Sequence, residues 1–238
     1  MSTLTLVRHG QALPFQDDPD RLSELGRRQT KRLAQYWLRH GLAFDEMVSG
    51  SLRRHIETVE IIRASMREAG LPQAPFREDP RFNEYDSAGI QRELAPRIAE
   101  ANPGFAAVLT AWTAHRGTAD QNRHFQEMFE ALLQEWRAEG WALSGVERWP
   151  VFHARVQKGL QDILQAEGRS RRVFVVTSGG PIGVAVQSAV GAPAASAIDI
   201  HWRLRNSSLT EFLFSGTKMS LDLFNATPHL EPELQSFR

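Results

Sequence analysis

The sequence has no cysteine. That excludes disulfides, a thiol nucleophile and cysteine-ligated metal, and it suits a reducing compartment. There is no apolar run near the ~18 residues that a membrane-spanning helix requires. Neither sign of charge is in excess: Lys+Arg and Asp+Glu both number 28, for a formal net charge of +0. General binders of nucleic acid or polyanions carry a basic surplus, so neither nucleic acid nor a membrane is expected as a partner. The balance still leaves room for a local basic pocket. Residues 1–7 lack a basic stretch followed by a long apolar one, so they do not read as a signal peptide. A soluble, cytoplasmic protein is expected.

What is present is an ordinary globular composition, 42% hydrophobic and 24% charged. A length of 238 residues corresponds to about 1.6 domains at ~150 residues each, which means one large domain or one domain with a cap. Such a chain buries roughly 70–75% of its unfolded surface and needs no staple. Short β-rich runs at 3–7, 44–49 and 173–176 alternate with helical patterns at 25–38, 52–66, 149–167 and 181–190. The run Val173-Phe174-Val175-Val176 is apolar throughout, as in a strand buried on both faces. Residues 209–214 and 219–224 flank Ser215-Gly216 as a hairpin. Residues 71–80 read as a Pro-punctuated connection, and residues 13–20 and the tail after Pro228 as irregular chain. From 86 to 146 there is helical periodicity and no good strand, which suggests a helical cap inserted into a single α/β domain spanning 1–238. Its Trp112, His115, Arg116, Phe125 and Trp136 either face a pocket or form the cap's own core, and aromatic residues at helical spacing are more often core.

Alternating strands and helices predict a three-layer α/β/α fold around a mostly parallel sheet. In such sheets ligands lie outside the carboxyl ends of the strands. Arg8-His9-Gly10 and Thr177-Ser178-Gly179-Gly180 each follow a predicted strand, so they should converge there. An isolated histidine after a strand is more often a turn residue. Here Arg8 offers a fork of donors for phosphate oxygens, Gly10 admits close backbone approach, and Arg53-Arg54 follow another strand end. A histidine among arginines suits in-line attack on an anionic phosphoryl group. No metal ligand set is recognisable and no cofactor is expected.

Five segments, in order, resemble the histidine phosphatase superfamily in its phosphoglycerate mutase-like branch. They are Leu6-Val7-Arg8-His9-Gly10, the helix entry from Leu22 to Gln29, and Ser49 to Thr58, which is similar to S-S-x-L-x-R-A-x-x-T. Phe82-Asn83-Glu84 resembles L-x-E, and Asn206 to Glu211 resembles N-x-S-I/L-T-E. The resemblance covers most of the chain except the cap. It implies that His9 becomes phosphohistidine, that Arg8 and Arg54 (not Arg53) clamp the phosphoryl group, and that Glu84 is general acid and then general base. It implies a phosphomonoester hydrolase acting on a small phosphorylated molecule. A ligand-binding relative without turnover and a mutase-type phosphotransferase are the alternatives. The hairpin at 209–224 is a candidate sheet edge through which copies could pair, so a monomer or homodimer is expected.

The resemblance also implies a histidine in S/T-H-G-G, where this chain has Ser178. A serine hydroxyl offers the phosphoryl oxygens a hydrogen bond but no charge, and losing one preorganised donor typically costs roughly 10²–10³ in rate. A reduced rate is therefore expected. Ser178 and Gly179 are read as phosphate-binding, with the following helix adding backbone N–H groups to the same anion. Ser178 would also cap that helix. His55, His153 and His201 are the other histidines that could fill the gap, but nothing in their spacing brings them to position 178, and each reads as a surface or helix residue.

Overall fold

The computed structural model describes residues 1–13 and 18–237, so part of the irregular stretch expected at 13–20 lies outside the described residues. In chain order the elements are β1 (Ser2–Arg8), α1 (Glu24–Arg39), β2 (Glu46–Ser49), α2 (Arg53–Glu68), β3 (Phe76–Glu78), α3 (Ser87–Ala101), α4 (Pro103–Ala114), α5 (Gln121–Ala138), α6 (Trp149–Gln165), β4 (Arg172–Thr177), α7 (Gly179–Val190), α8 (Ser196–His201), β5 (Leu209–Ser215) and β6 (Lys218–Ala226). One six-stranded sheet runs β3-β2-β4-β1-β5-β6. The pairs β3–β2, β2–β4 and β4–β1 are parallel, whereas β1–β5 and β5–β6 are antiparallel. The fold is α/β with helices flanking a mostly parallel sheet.

The chain divides into two compact units, Met1–Glu84 with Arg155–Arg238, and Tyr85–Ala154. In the first unit, β4 is buried from Val173 to Thr177, as its unbroken apolar run predicts. Side chains alternate across a strand. Phe174 and Val176 therefore share one face with Val7 and Met47, and α1 and α2 cover it with Leu33, Trp37, Val59 and Ile62. Trp37, Phe44 and Phe174 pack tilted or edge-on, within 5.2 Å of one another between centroids. Rings of this size each remove roughly 150–250 Å² from water. At ~25 cal/mol per Å² that is several kcal/mol of transfer free energy apiece. Helix α1 begins where Ser23 accepts a bond from Gly26 N at 3.0 Å, a serine N-cap just ahead of the periodic segment.

The second unit packs α3, α4 and α5 together. Asn102 starts α4 by accepting from Gly104 N and Phe105 N. Trp112 sits on Phe125 at 5.0 Å, and Trp136 on Tyr85 at 5.0 Å and Trp149 at 5.5 Å. Trp112, Phe125 and Trp136 are buried. They are core of this unit, the second of the two roles their spacing allowed.

Two elements lie where none was expected. The connection at 71–80 contains β3, an edge strand of 3 residues whose Phe76 pairs with Met47. The tail is docked as well: Gln29 Nε2 donates to Leu234 O at 2.7 Å and to Ser236 Oγ at 2.9 Å. Among the described residues no helix is long and apolar enough to cross a membrane.

Candidate active site

Strand register builds the site. β1 and β4 run parallel with Arg8 opposite Thr177, and His9 N donates to Thr177 O at 2.9 Å. His9 and Ser178 therefore leave the sheet side by side. On the other flank of β1, Ser207 N donates to His9 O at 3.1 Å and Arg8 N to Ser208 O at 3.0 Å. The Asn206-Ser207-Ser208 segment, wholly buried, thus clamps the backbone of the histidine. On the far side of β4, Ser49 pairs with Val176, so α2 starts beside the same strand end.

The His9 ring is buried, and its Nδ1 lies 2.7 Å from Gly10 O. A carbonyl can only accept, so Nδ1 carries the hydrogen and, in the neutral ring, Nε2 keeps its lone pair. Burial pushes the His9 pKa well below the usual histidine value. The charges of Arg54, His55 and Arg8 push the same way, and the Gly10 carbonyl opposes them only in part. The ring is therefore neutral at neutral pH. Gly10 plays a different part from the one expected. Its open side faces Thr30 Oγ1 and the Gly26 carbonyl, so the missing side chain admits the first turn of α1, not a ligand.

Arg54 is 18% exposed at the side chain; Nη1 pairs with Asp20 and Nη2 lies 3.5 Å from Ser178 Oγ. Arg53 is 53% exposed and pairs with Asp18 and Glu57. Arg8 donates from Nη1 to Leu204 O. Glu84 accepts from Gly180 N at 3.2 and 3.1 Å through its two oxygens. The N-terminus of α7 thus holds a carboxylate, a favourable placement. The Gly180 N–H expected for the substrate's anion is taken by Glu84.

The loop carrying Glu84 is braced. Asp79 N donates to Ser49 O at 2.8 Å, and Arg155 Nη1 donates to the carbonyls of Arg81 and Asn83 at 2.7 and 2.9 Å. Burial pushes the Asp79 carboxyl up, but bonds from Arg81 and Arg77 outweigh this and hold it at about 2.

Ser178 stands at the N-cap position of α7 with extended backbone, yet its side chain makes no capping bond. This corrects the capping role expected for it. Its Oγ lies 2.6 Å from His55 Nε2, and both residues are buried. His55 is therefore neither a surface residue nor an inert helix residue; its ring centroid is 5.6 Å from that of His9. His153 instead lies tilted against Trp149, and His201 lies against Gly179 and Trp202. Its place after Arg54, in a helix starting at a strand's carboxyl end, puts His55 near the site, but nothing local in the sequence pairs it with Ser178.

Acid should destabilise the fold in a defined direction. His229, whose ring meets Ser207 Oγ at 3.2 Å, has its pKa lowered to about 4 by burial, offset only in part by Ser207 and Glu231. Below about pH 6.5 the unfolded chain takes up this proton and the native chain does not. Stability therefore falls as pH drops toward 4, by about 3 kcal/mol for His229 alone. His9 and His55, also lowered by burial, act in the same sense. Urea unfolding at about pH 7 and about pH 4.5 checks this, and His229→Gln should shrink the difference.

A six-stranded sheet flanked by helices, with a neutral histidine, two arginines and a carboxylate at adjoining strand ends, defines a class of α/β enzymes. A family model for the histidine phosphatase superfamily (branch 1) matches residues 4–139 and 111–227. The chain belongs to that superfamily and is an enzyme of the histidine phosphatase class. Among solved structures, a mycobacterial glucosyl-3-phosphoglycerate phosphatase with inorganic phosphate is 24% identical (TM-score 0.63; 97% of this chain and 100% of that chain covered). Bacillus stearothermophilus YhfR is 20% identical (TM-score 0.62; 97% and 100%). A phosphoserine phosphatase variant from Entamoeba histolytica in complex with phosphoserine is 18% identical (TM-score 0.61; 97% and 100%). These similarities extend the likeness of fold across 97% of the chain. The comparison with curated proteins finds no match.

Proposed function

We propose that this chain hydrolyses small phosphomonoesters through a phosphohistidine at His9. The observation that carries this reading is the tautomer of His9: with Nδ1–H tied to the Gly10 carbonyl, the Nε2 lone pair is free in a ring kept neutral by burial. Nε2 attacks phosphorus as the ester P–O bond breaks, and protonated Glu84 gives its proton to the departing alkoxide. Water then attacks the phosphohistidine, Glu84 takes the water's proton, and the N–P bond breaks to return neutral His9 and release phosphate. Arg8 and Arg54 hold the equatorial oxygens, and as fixed cations they stabilise the charge that builds there. The phosphatases among the similar structures, with their phosphate and phosphoserine complexes, support a small phosphorylated substrate.

The test is turnover of an aryl phosphate and a panel of sugar phosphates, phosphoglycerates and phosphoserine, with base-stable phosphohistidine trapped by rapid quench. Phosphate release with labelled His9 is the expected result. Binding of phosphate, seen as a thermal shift, without turnover on any substrate would overturn it in favour of a ligand-binding relative.

A further inference from the structure

The Ser178–His55 contact has no part in the reaction as written above, yet its geometry is restrictive. Ser178 Oγ faces two nitrogens, Arg54 Nη2 at 3.5 Å and His55 Nε2 at 2.6 Å. A guanidinium can only donate. The role of His55 is set by its other nitrogen. Nδ1 is buried and, among the described residues, meets no hydrogen-bond partner. It packs against Gly50, where a Cβ would collide with it. Burial and the neighbouring Arg54 keep the ring neutral, so one nitrogen carries the only hydrogen. Placing it on Nδ1 would orphan a buried donor, the rarer and costlier fault. Placing it on Nε2 leaves only an unmet lone pair. Nε2–H then donates to Ser178 Oγ, Arg54 fills the second lone pair, and the serine's own hydrogen must turn elsewhere.

We propose that His55 is a positioning residue that, by donating from Nε2 to Ser178 Oγ, frees the Ser178 hydroxyl hydrogen for a phosphoryl oxygen held beside His9, so that the pair supplies the contact expected of a histidine at position 178. The proposal rests on the phosphohistidine reading above and deepens it. Three positions act together. Gly50 leaves the space, His55 fills it with a ring, and Ser178 is short enough to meet that ring. In the motifs quoted above, these positions read Ser, Ala and His.

Single and paired variants decide it, read by the rate of His9 phosphorylation from p-nitrophenyl phosphate in a stopped-flow burst, with thermal melting in parallel. Ser178→Ala and His55→Ala should each slow phosphorylation by about 10–100-fold, the range for one preorganised donor or less. The double variant should be no more than about 3-fold slower than Ser178→Ala, because contacts acting through one group are not additive. His55→Gln, whose amide N–H can still reach Oγ, should stay within about 5-fold of the parent. His55→Phe keeps the volume without the donor and should be as slow as His55→Ala; it carries the test if the alanine variant fails to fold. Ser178→His alone should be slow, because His55 occupies the space. His55→Ala/Ser178→His should recover at least about 10-fold over it.

Multiplying effects in the double variant, or a His55→Phe variant within about 2-fold of the parent, would overturn the proposal while leaving His9 chemistry intact. A parent protein that never forms phosphohistidine would instead remove the reading on which the proposal rests.

Discussion

His9→Ala is expected to cut turnover of an aryl phosphate by at least about 10⁴-fold and to abolish the base-stable phosphoenzyme, the scale on which removing a nucleophile acts. Neither a thiol nor the neighbouring imidazole can replace it. The chain has no cysteine. The nearest imidazole, His55, spends Nε2 on Ser178 and turns Nδ1 toward Gly50. The fold should survive the change, because the backbone bonds joining His9 to Thr177 and Ser207 do not involve its ring. The check is a matched pair of measurements, burst kinetics and urea unfolding. Residual turnover above about 1% of the parent would mean that His9 is not the nucleophile.

Glu84→Gln should separate the two halves of the reaction. With an alkyl phosphate the alkoxide needs a proton to leave, and the loss should be about 10²–10⁴-fold. With p-nitrophenyl phosphate the leaving group is stable as an anion, so the first step should slow far less. The second step still lacks its base. A burst of p-nitrophenol followed by accumulated phosphoenzyme is therefore expected. Glutamine is the right probe because its amide oxygen can still accept the Gly180 N–H that the carboxylate accepts at 3.1 Å, leaving the loop in place. Equal losses on both substrates with no burst would remove Glu84 from both roles.

The sheet was readable because it depends on local pattern, whereas Glu84 and the choice of Arg54 over Arg53 came from the resemblance of their motifs. The strands are short apolar runs, the helices have period 3.6, and the chemistry follows strand ends. β3 escaped because a partly exposed Phe76-Arg77-Glu78 segment carries no apolar alternation, and only pairing with Met47–Ser49 makes it a strand. His55 escaped for a different reason. It meets Ser178 across 123 positions of sequence, and that meeting is set by β2–β4 register, which no local pattern encodes. Ser178 was misread in part for the same reason. A serine before a helix favours capping, but here a buried imidazole and Arg54 compete for its hydroxyl and win.

β1 lies inside the sheet, between β4 and β5. β1 can therefore pair on neither edge until residues 172–177 and 209–214 exist. At ~5–20 residues per second, that wait is roughly 10–40 s of synthesis. These are contacts of high sequence separation, the kind that slow folding. The backbone that holds His9 closes only after Ser207 and Ser208 arrive, so His9 depends for its backbone clamp on a segment synthesised long after it.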